Sequence, residues 1–172
     1  MLRVRVARPE DAESVARLHV RSWQVGYRGL LPDDYLDRLR PEDRTGHYAF
    51  GSSDPELPHT IVALEEHVMR GFATTGPCRD SDQPATGELF ALYVDPDSWG
   101  AGVGQLLIRE SRGHFTDAVL WVLVGNERAC RFYRKDGWES DDHVRQDVVW
   151  GLQVDESRLR RHLSSSDGIS DR

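Results

Sequence analysis

An α/β fold built on a mixed sheet is what this sequence predicts, and three observations predict it. The run Leu89–Val94 is nearly continuous in apolar residues, as a strand buried on both faces should be. Glycines at alternate positions, Gly100, Gly102 and Gly104, follow it and lead into the helical run Gln105, Leu106, Leu107 and Ile108. A second strongly apolar run, residues 118–124 (AVLWVLV), comes after that helix. A helix thus crosses between two strands, which is the connection that parallel neighbours need. At 172 residues the chain suits one domain with a proper core and is short for two, so residues 1–163 are expected to form a single domain.

Taken in order, residues 2–7 (LRVRVA) alternate apolar and basic side chains and predict a half-buried strand. Pro9 suits the first turn of a helix, and Glu10, Asp11 and Glu13 suit the positive end of its dipole. Ala12, Val15, Ala16, His19 and Trp23 recur at helical spacing as the buried face, and the helix should stop near Gly26 or Gly29. His19, Trp23 and Tyr27 share a face that either packs into the core or walls a pocket. Leu30, Leu31 and Pro32 introduce a short helix over 33–39, and Pro41 starts another to about Phe50. Residues 51–59 (GSSDPELPH) read as a loop. Apolar runs at 59–65 and 68–75, around a turn near Glu66 and His67, predict an antiparallel hairpin.

A polar loop, expected to be mobile, fills residues 76–87 ahead of the central strand, which begins at Glu88. Asp95 and Pro96 end that strand, because proline has no amide hydrogen with which to continue a ladder. After the second apolar strand, Gly125 and Asn126 make a stop and a helix spans 127–135, broken by Gly137. A last strand is expected around 148–154, and the polar tail 164–172 should be disordered.

Bulk properties exclude several classes. Hydrophobic residues make up 38% and charged residues 30%, the composition of an ordinary globular protein. No run is long enough to cross a bilayer and the N-terminus lacks the apolar core of a signal peptide, so a cytoplasmic protein without membrane contact is expected. Cys78 and Cys130 are far apart with no Cys/His cluster around them, which points to neither a disulfide framework nor a metal site. The net charge is −7 and the basic residues form no stripe interleaved with aromatics, which argues against nucleic acid.

The strand, glycine turn and helix start make a site for an anion. First-turn amides have no partner inside the helix, the aligned peptide dipoles put partial positive charge there, and glycine lets a phosphate approach the backbone closely. A Walker loop would need Lys and then Ser or Thr after its last glycine, whereas Gly104 is followed by Gln105 and Leu106. A dinucleotide fingerprint needs G-x-G-x-x-G near the start of the chain, whereas this spacing is G-x-G-x-G past its middle. The stretch instead resembles the coenzyme A loop of the GNAT-type N-acetyltransferases, whose pattern of Arg or Gln, two residues, Gly, one residue, Gly or Ala falls on Trp99, Gly102 and Gly104. Trp99 departs from that pattern, since it carries no charge for a phosphate. A second resemblance lies in residues 120–138, where Asn126, Ala129, Phe132, Tyr133, Gly137 and Trp138 match the family's strand, Asn, short helix and following Gly-aromatic pair. The likeness covers roughly residues 2–154.

The resemblance implies a GNAT fold, a mixed central sheet with splayed parallel strands flanked by helices, and it implies attack of an amine on the thioester of acetyl-CoA, with no metal. It assigns Tyr133 as the acid that protonates the departing thiolate and Glu88 as the general base. A surface carboxylate is the plain alternative for Glu88, packing beside Phe132 that for Tyr133, and a helix N-cap that for Asn126. The main chain of Leu92, Tyr93 and Val94 would bind pantetheine as an added strand does, with the Leu92 amide facing the carbonyl oxygen. Trp99, Gly100, Gly102, Val103, Gly104 and Gln105 would surround the pyrophosphate, Asn126 would bond the pantetheine arm, and Trp23 and Tyr27 would border a small-molecule or peptide amine. Dimers are common among such proteins, so a homodimer is one expected state. A coenzyme-binding or regulatory module without turnover is the alternative function, and the glycine spacing argues against a nucleotide-dependent oxidoreductase.

Overall fold

The computed structural model describes residues 1–83, 86–112 and 117–162; the tail expected to be disordered, 164–172, lies outside the described residues. Its strands are β1 (Leu2–Val6), β2 (His59–Glu65), β3 (Val68–Pro77), β4 (Gly87–Val94), β5 (Asp117–Leu123), β6 (Glu139–Val149) and β7 (Leu152–His162). Its helices are α1 (Ala12–Gly26), α2 (Asp33–Arg38), α3 (Glu42–Thr45), α4 (Val103–Ser111) and α5 (Glu127–Lys135). The strands form a mixed seven-stranded sheet in the order β1-β2-β3-β4-β5-β7-β6. By its internal contacts the described chain divides into two compact units, residues 1–76 with 90–112, and 77–83 with 86–89 and 117–162.

In the first unit the alternation seen in residues 2–7 places β1 antiparallel to β2, from Leu2↔Glu65 to Val6↔Ile61. β2 and β3 make the expected hairpin, turning at Glu66 with a positive φ of 57°. The start of α1 is fixed by Asp11, whose carboxylate accepts the Arg8 amide at 2.7 Å and two nitrogens of Arg5 at 2.6 and 2.9 Å. A 3-10 turn over Pro9–Asp11 therefore precedes the α-helix, which ends at the earlier of the two candidate glycines. Its buried face carries Val15, Ala16, Leu18, Val20 and Trp23, and Val15 and Leu18 pack with Ala7, Val62 and Phe72 in the core. The helix expected to reach Phe50 is only one turn long. Gly46 closes it, and Tyr48 and Phe50 turn back to cover the core instead.

In the second unit β5 pairs antiparallel with β7, from Asp117↔His162 to Leu123↔Glu156, and β7 pairs with β6. In place of the single strand expected at 148–154 there are two, β6 and β7. That stretch straddles a hairpin whose central residues Trp150 and Gly151 both have positive φ, 51° and 78°, as a type I′ turn requires. Apolar alternation does not mark these longer strands, because β6 is largely exposed and β7 buries charge where a strand usually buries hydrocarbon: Glu156 and Arg158 are both buried. Arg158, 2% exposed, donates to Asp80 at 3.1 Å, to Asp82 at 2.9 and 3.0 Å and to Asp141 at 2.7 Å. Asp80 also accepts the Trp121 indole N–H at 3.1 Å. Two residues of the polar loop, Asp80 and Asp82, are thus tied to β7. No helix among the described residues is long and apolar enough to cross a membrane.

Candidate active site

The glycine turn belongs to the first unit. Asp95 accepts the Asp97 amide at 3.0 Å and starts a 3-10 turn over Pro96–Ser98, which carries the chain from β4 into the glycines. Gly100 and Gly102 have φ of 81° and 83°, a conformation that side-chain-bearing residues rarely adopt, and a Cβ built at either meets nothing within 4 Å. The space a ligand would need above this backbone is open. Gly102 is the N-cap of α4, and the first bond the helix closes runs from the Leu106 amide to the Gly102 carbonyl at 3.0 Å. The amides of Val103, Gly104 and Gln105 precede that ladder and head the helix. Trp99 is 41% exposed and donates its indole N–H to the Val94 carbonyl at 3.0 Å. That carbonyl also accepts Ser22 Oγ at 3.3 Å, so any share of Val94 in ligand binding falls to its amide.

On the same unit, Trp23 is buried and donates its indole N–H to the Tyr93 hydroxyl at 3.1 Å, and the Tyr27 hydroxyl lies 3.2 Å from that of Tyr93. Because an indole N–H only donates, Tyr93 accepts there and its own proton is available to Tyr27. His19 completes the cluster: its ring lies 4.2 Å from that of Tyr93 and its Nδ1 is 2.7 Å from the Tyr48 hydroxyl. Burial, aided by Arg44, pushes the pKa of His19 down to about 3, so the imidazole is neutral near pH 7. Burial raises the pKa of Tyr48 above its ordinary value, so the hydroxyl keeps its proton. The face that the sequence left open between core and pocket is mostly core at Trp23, while Tyr27 and Tyr93 are half-buried. Tyr93 thus turns its side chain toward α1, and its expected backbone role is separate from that contact.

The second unit carries the other candidates. Glu88 is 2% exposed, so the surface alternative fails; its carboxylate accepts the Arg79 amide at 3.1 Å, Nε at 3.2 Å and Nη2 at 2.7 Å. Arg79, which the sequence did not single out, is raised above its ordinary pKa chiefly by this bond. The parallel ladder of β4 with β5 runs from Gly87↔Ala118 through Glu88↔Val119 to Leu89↔Leu120. Leu92 lies beyond the last of those pairs. Asn126 is the N-cap of α5, with Oδ1 accepting the Ala129 amide at 3.2 Å. The cap engages only the oxygen of that side chain. Tyr133 is 8% exposed and sits edge-on to Phe132 and Trp138, with ring centroids 5.2 and 5.9 Å apart.

Comparison with known proteins bears on the family of the chain. Residues 13–138 match the family model described as Acetyltransferase (GNAT) family. The chain is 30% identical over 132 residues to YuaI of Bacillus subtilis, an uncharacterized N-acetyltransferase, covering 73% of this chain and 74% of that one. It is 28% identical over 174 residues to a Mycobacterium tuberculosis protein named as a probable N-acetyltransferase, covering 97% of each. Among solved structures it is similar to the PaiA N-acetyltransferase of Thermoplasma acidophilum in complex with coenzyme A, with a TM-score of 0.67 at 18% identity over 94% of this chain and 99% of that one. The strand order, the glycine turn capping α4 and the match over most of the chain lead to one conclusion: this protein belongs to the GNAT family of acetyltransferases.

Proposed function

We propose that the protein transfers the acetyl group of acetyl-CoA to the amine of an acceptor by direct attack. The observation that carries this reading is the open backbone over Gly100 and Gly102 at the head of α4, a cradle that fits a pyrophosphate and that a Cβ would begin to fill. The coenzyme A bound to the similar PaiA protein supports the choice of ligand. In this reading the amides of Val103, Gly104 and Gln105 hold the phosphates. The main chain of Leu92, Tyr93 and Val94 binds the pantetheine arm beyond the last β4–β5 pair, and the amide side of Asn126, which the N-cap leaves unused, donates to it.

Acetyl-CoA supplies an electrophilic thioester carbonyl. Glu88, through water, takes the proton of the acceptor ammonium, and the freed amine attacks that carbonyl. The Leu92 amide donates to the oxygen as negative charge grows on it. When the carbon–sulfur bond breaks, the Tyr133 hydroxyl gives its proton to the thiolate, the acylated nitrogen sheds its remaining extra proton, through water, to the tyrosinate, and Tyr27 borders the acceptor. A binding module without turnover is favoured by one observation, the engagement of both Glu88 oxygens by Arg79.

Release of free thiol from acetyl-CoA across a panel of amines tests the proposal. Turnover is expected in the wild-type protein, with Tyr133→Phe slower by about 10²-fold at unchanged coenzyme affinity. Coenzyme binding with no amine turned over would favour the binding module.

A further inference from the structure

The C-terminal half of α1 is wired to the stretch between β4 and the glycine turn. The Arg21 guanidinium pairs with Asp95 through one terminal nitrogen and with Asp97 through the other, at 2.9 Å in the second case. The next residue, Ser22, donates to the Val94 carbonyl, which also receives the Trp99 indole N–H. Asp95 is held from two further directions, its carboxylate accepting the Asp97 amide and its own amide donating to the Arg70 carbonyl at 2.8 Å. Residues 94–99 are therefore clamped at both ends of their bend. Immediately beyond lie Gly100 and Gly102, in conformations that a glycine-rich segment leaves most readily.

We propose that Arg21 is a positioning residue for the phosphate-binding turn. By clamping Asp95 and Asp97 onto α1 it holds the entry of the turn in its ligand-ready shape, so that less chain has to be ordered when a phosphate binds. Arg21 acts through the two aspartates and makes no contact with the ligand. An arginine suits the task because its planar fork presents separate nitrogens to two carboxylates, which the point charge of a lysine cannot do. The proposal rests on the reading of the turn as a coenzyme cradle.

Calorimetric titration of the full chain with coenzyme A tests it, with melting temperatures measured alongside. Arg21→Gln is expected to raise the Kd about three- to tenfold at a melting temperature close to wild type, since exposed ion pairs add little to stability. Arg21→Lys should recover only part of the loss, and Arg21→Gln combined with Asp97→Asn should bind no more weakly than Arg21→Gln alone, because the two act as one clamp. Arg17→Gln makes the same charge change one turn earlier on α1, where Arg17 pairs with Glu13, and should leave the Kd unchanged. A Kd within twofold of wild type in Arg21→Gln overturns the proposal, as does full recovery with lysine or equal weakening by Arg17→Gln, either of which would make Arg21 a distant attractor of phosphate. If the wild-type protein itself binds no coenzyme A, the cradle reading falls and takes this proposal with it; wild-type binding with an indifferent Arg21→Gln removes the proposal alone.

Discussion

Glu88, the second residue of β4, is the charged residue of an otherwise apolar strand, and its surroundings decide what its carboxylate can do. Both oxygens accept from Arg79, Oε2 from two donors and Oε1 from one, so a proton reaching Oε2 must displace a donor while Oε1 keeps a lone pair free. Arg79 is mostly solvent-exposed and can be rehydrated when it lets go, whereas the carboxylate cannot. If Glu88 is the base, Glu88→Gln lowers kcat about 10²-fold with the KM for acetyl-CoA within twofold of wild type, and Arg79→Gln lowers kcat by less than tenfold. Steady-state kinetics on the two variants check this, and equal losses would assign the pair to structure. At this scale the sequence was informative where a residue's role is local. Asn126 as a cap and the glycines at positive φ follow from chemistry within a few residues. Arg21, Ser22 and Arg79 gave no signal, because nothing next to Arg21 in the chain announces a partner 74 residues away.

At the scale of elements, the helix that heads the cradle is seated on the sheet by a missing side chain. A Cβ at Gly71 on β3 would lie 2.8 Å from Leu107 of α4 and 2.8 Å from the Tyr93 carbonyl oxygen of β4. The end of the leucine could rotate away, but the carbonyl is main chain and cannot. Gly71→Ala is therefore expected to cost about 1–3 kcal/mol of stability, the usual penalty of overpacking, and to weaken coenzyme binding by displacing the end of β4 that leads into the turn. Urea unfolding and calorimetry measure the two effects, and an unchanged unfolding midpoint would mean that strand and helix separate freely. Apolar patterning located β1, α1, the β2–β3 hairpin, β4, α4 and β5, and the stops at Gly125, Asn126 and Gly137 located α5. Apolar patterning missed β7 and most of β6. Those strands bury a guanidinium with its carboxylates, and a pattern search for hydrocarbon passes over them.

For the molecule as a whole, acid is the condition that should unfold it. His19 is held neutral by burial, Asp11 is lowered first by its hydrogen bond from Arg5, and Asp82 first by that from Arg158. Each therefore has a folded pKa below its ordinary value, the unfolded chain binds more protons, and stability is lost as pH falls. The window opens with His19, between its ordinary value of 6.5 and about 3, and the carboxylates add to it below about 4. Urea midpoints are expected to be flat above pH 7 and to fall below about pH 6. The His19 contribution approaches about 1.4 kcal/mol per pH unit, and His19→Gln should flatten the curve down to about pH 4.5. A parallel slope in that variant would show that other groups carry the transition.

Local conformational chemistry is legible in the chain itself: an apolar strand ended by Asp95 and Pro96, glycines that permit positive φ, a cap at Asn126, and through them the family. Which charges meet depends on long-range packing. Arg158 reaches Asp80 across 78 residues, Arg21 reaches Asp95 across 74, and β7 lies between β5 and β6. A backbone preference is a property of a few adjacent residues, whereas an ion pair or a strand neighbour depends on which distant part of the chain arrives there.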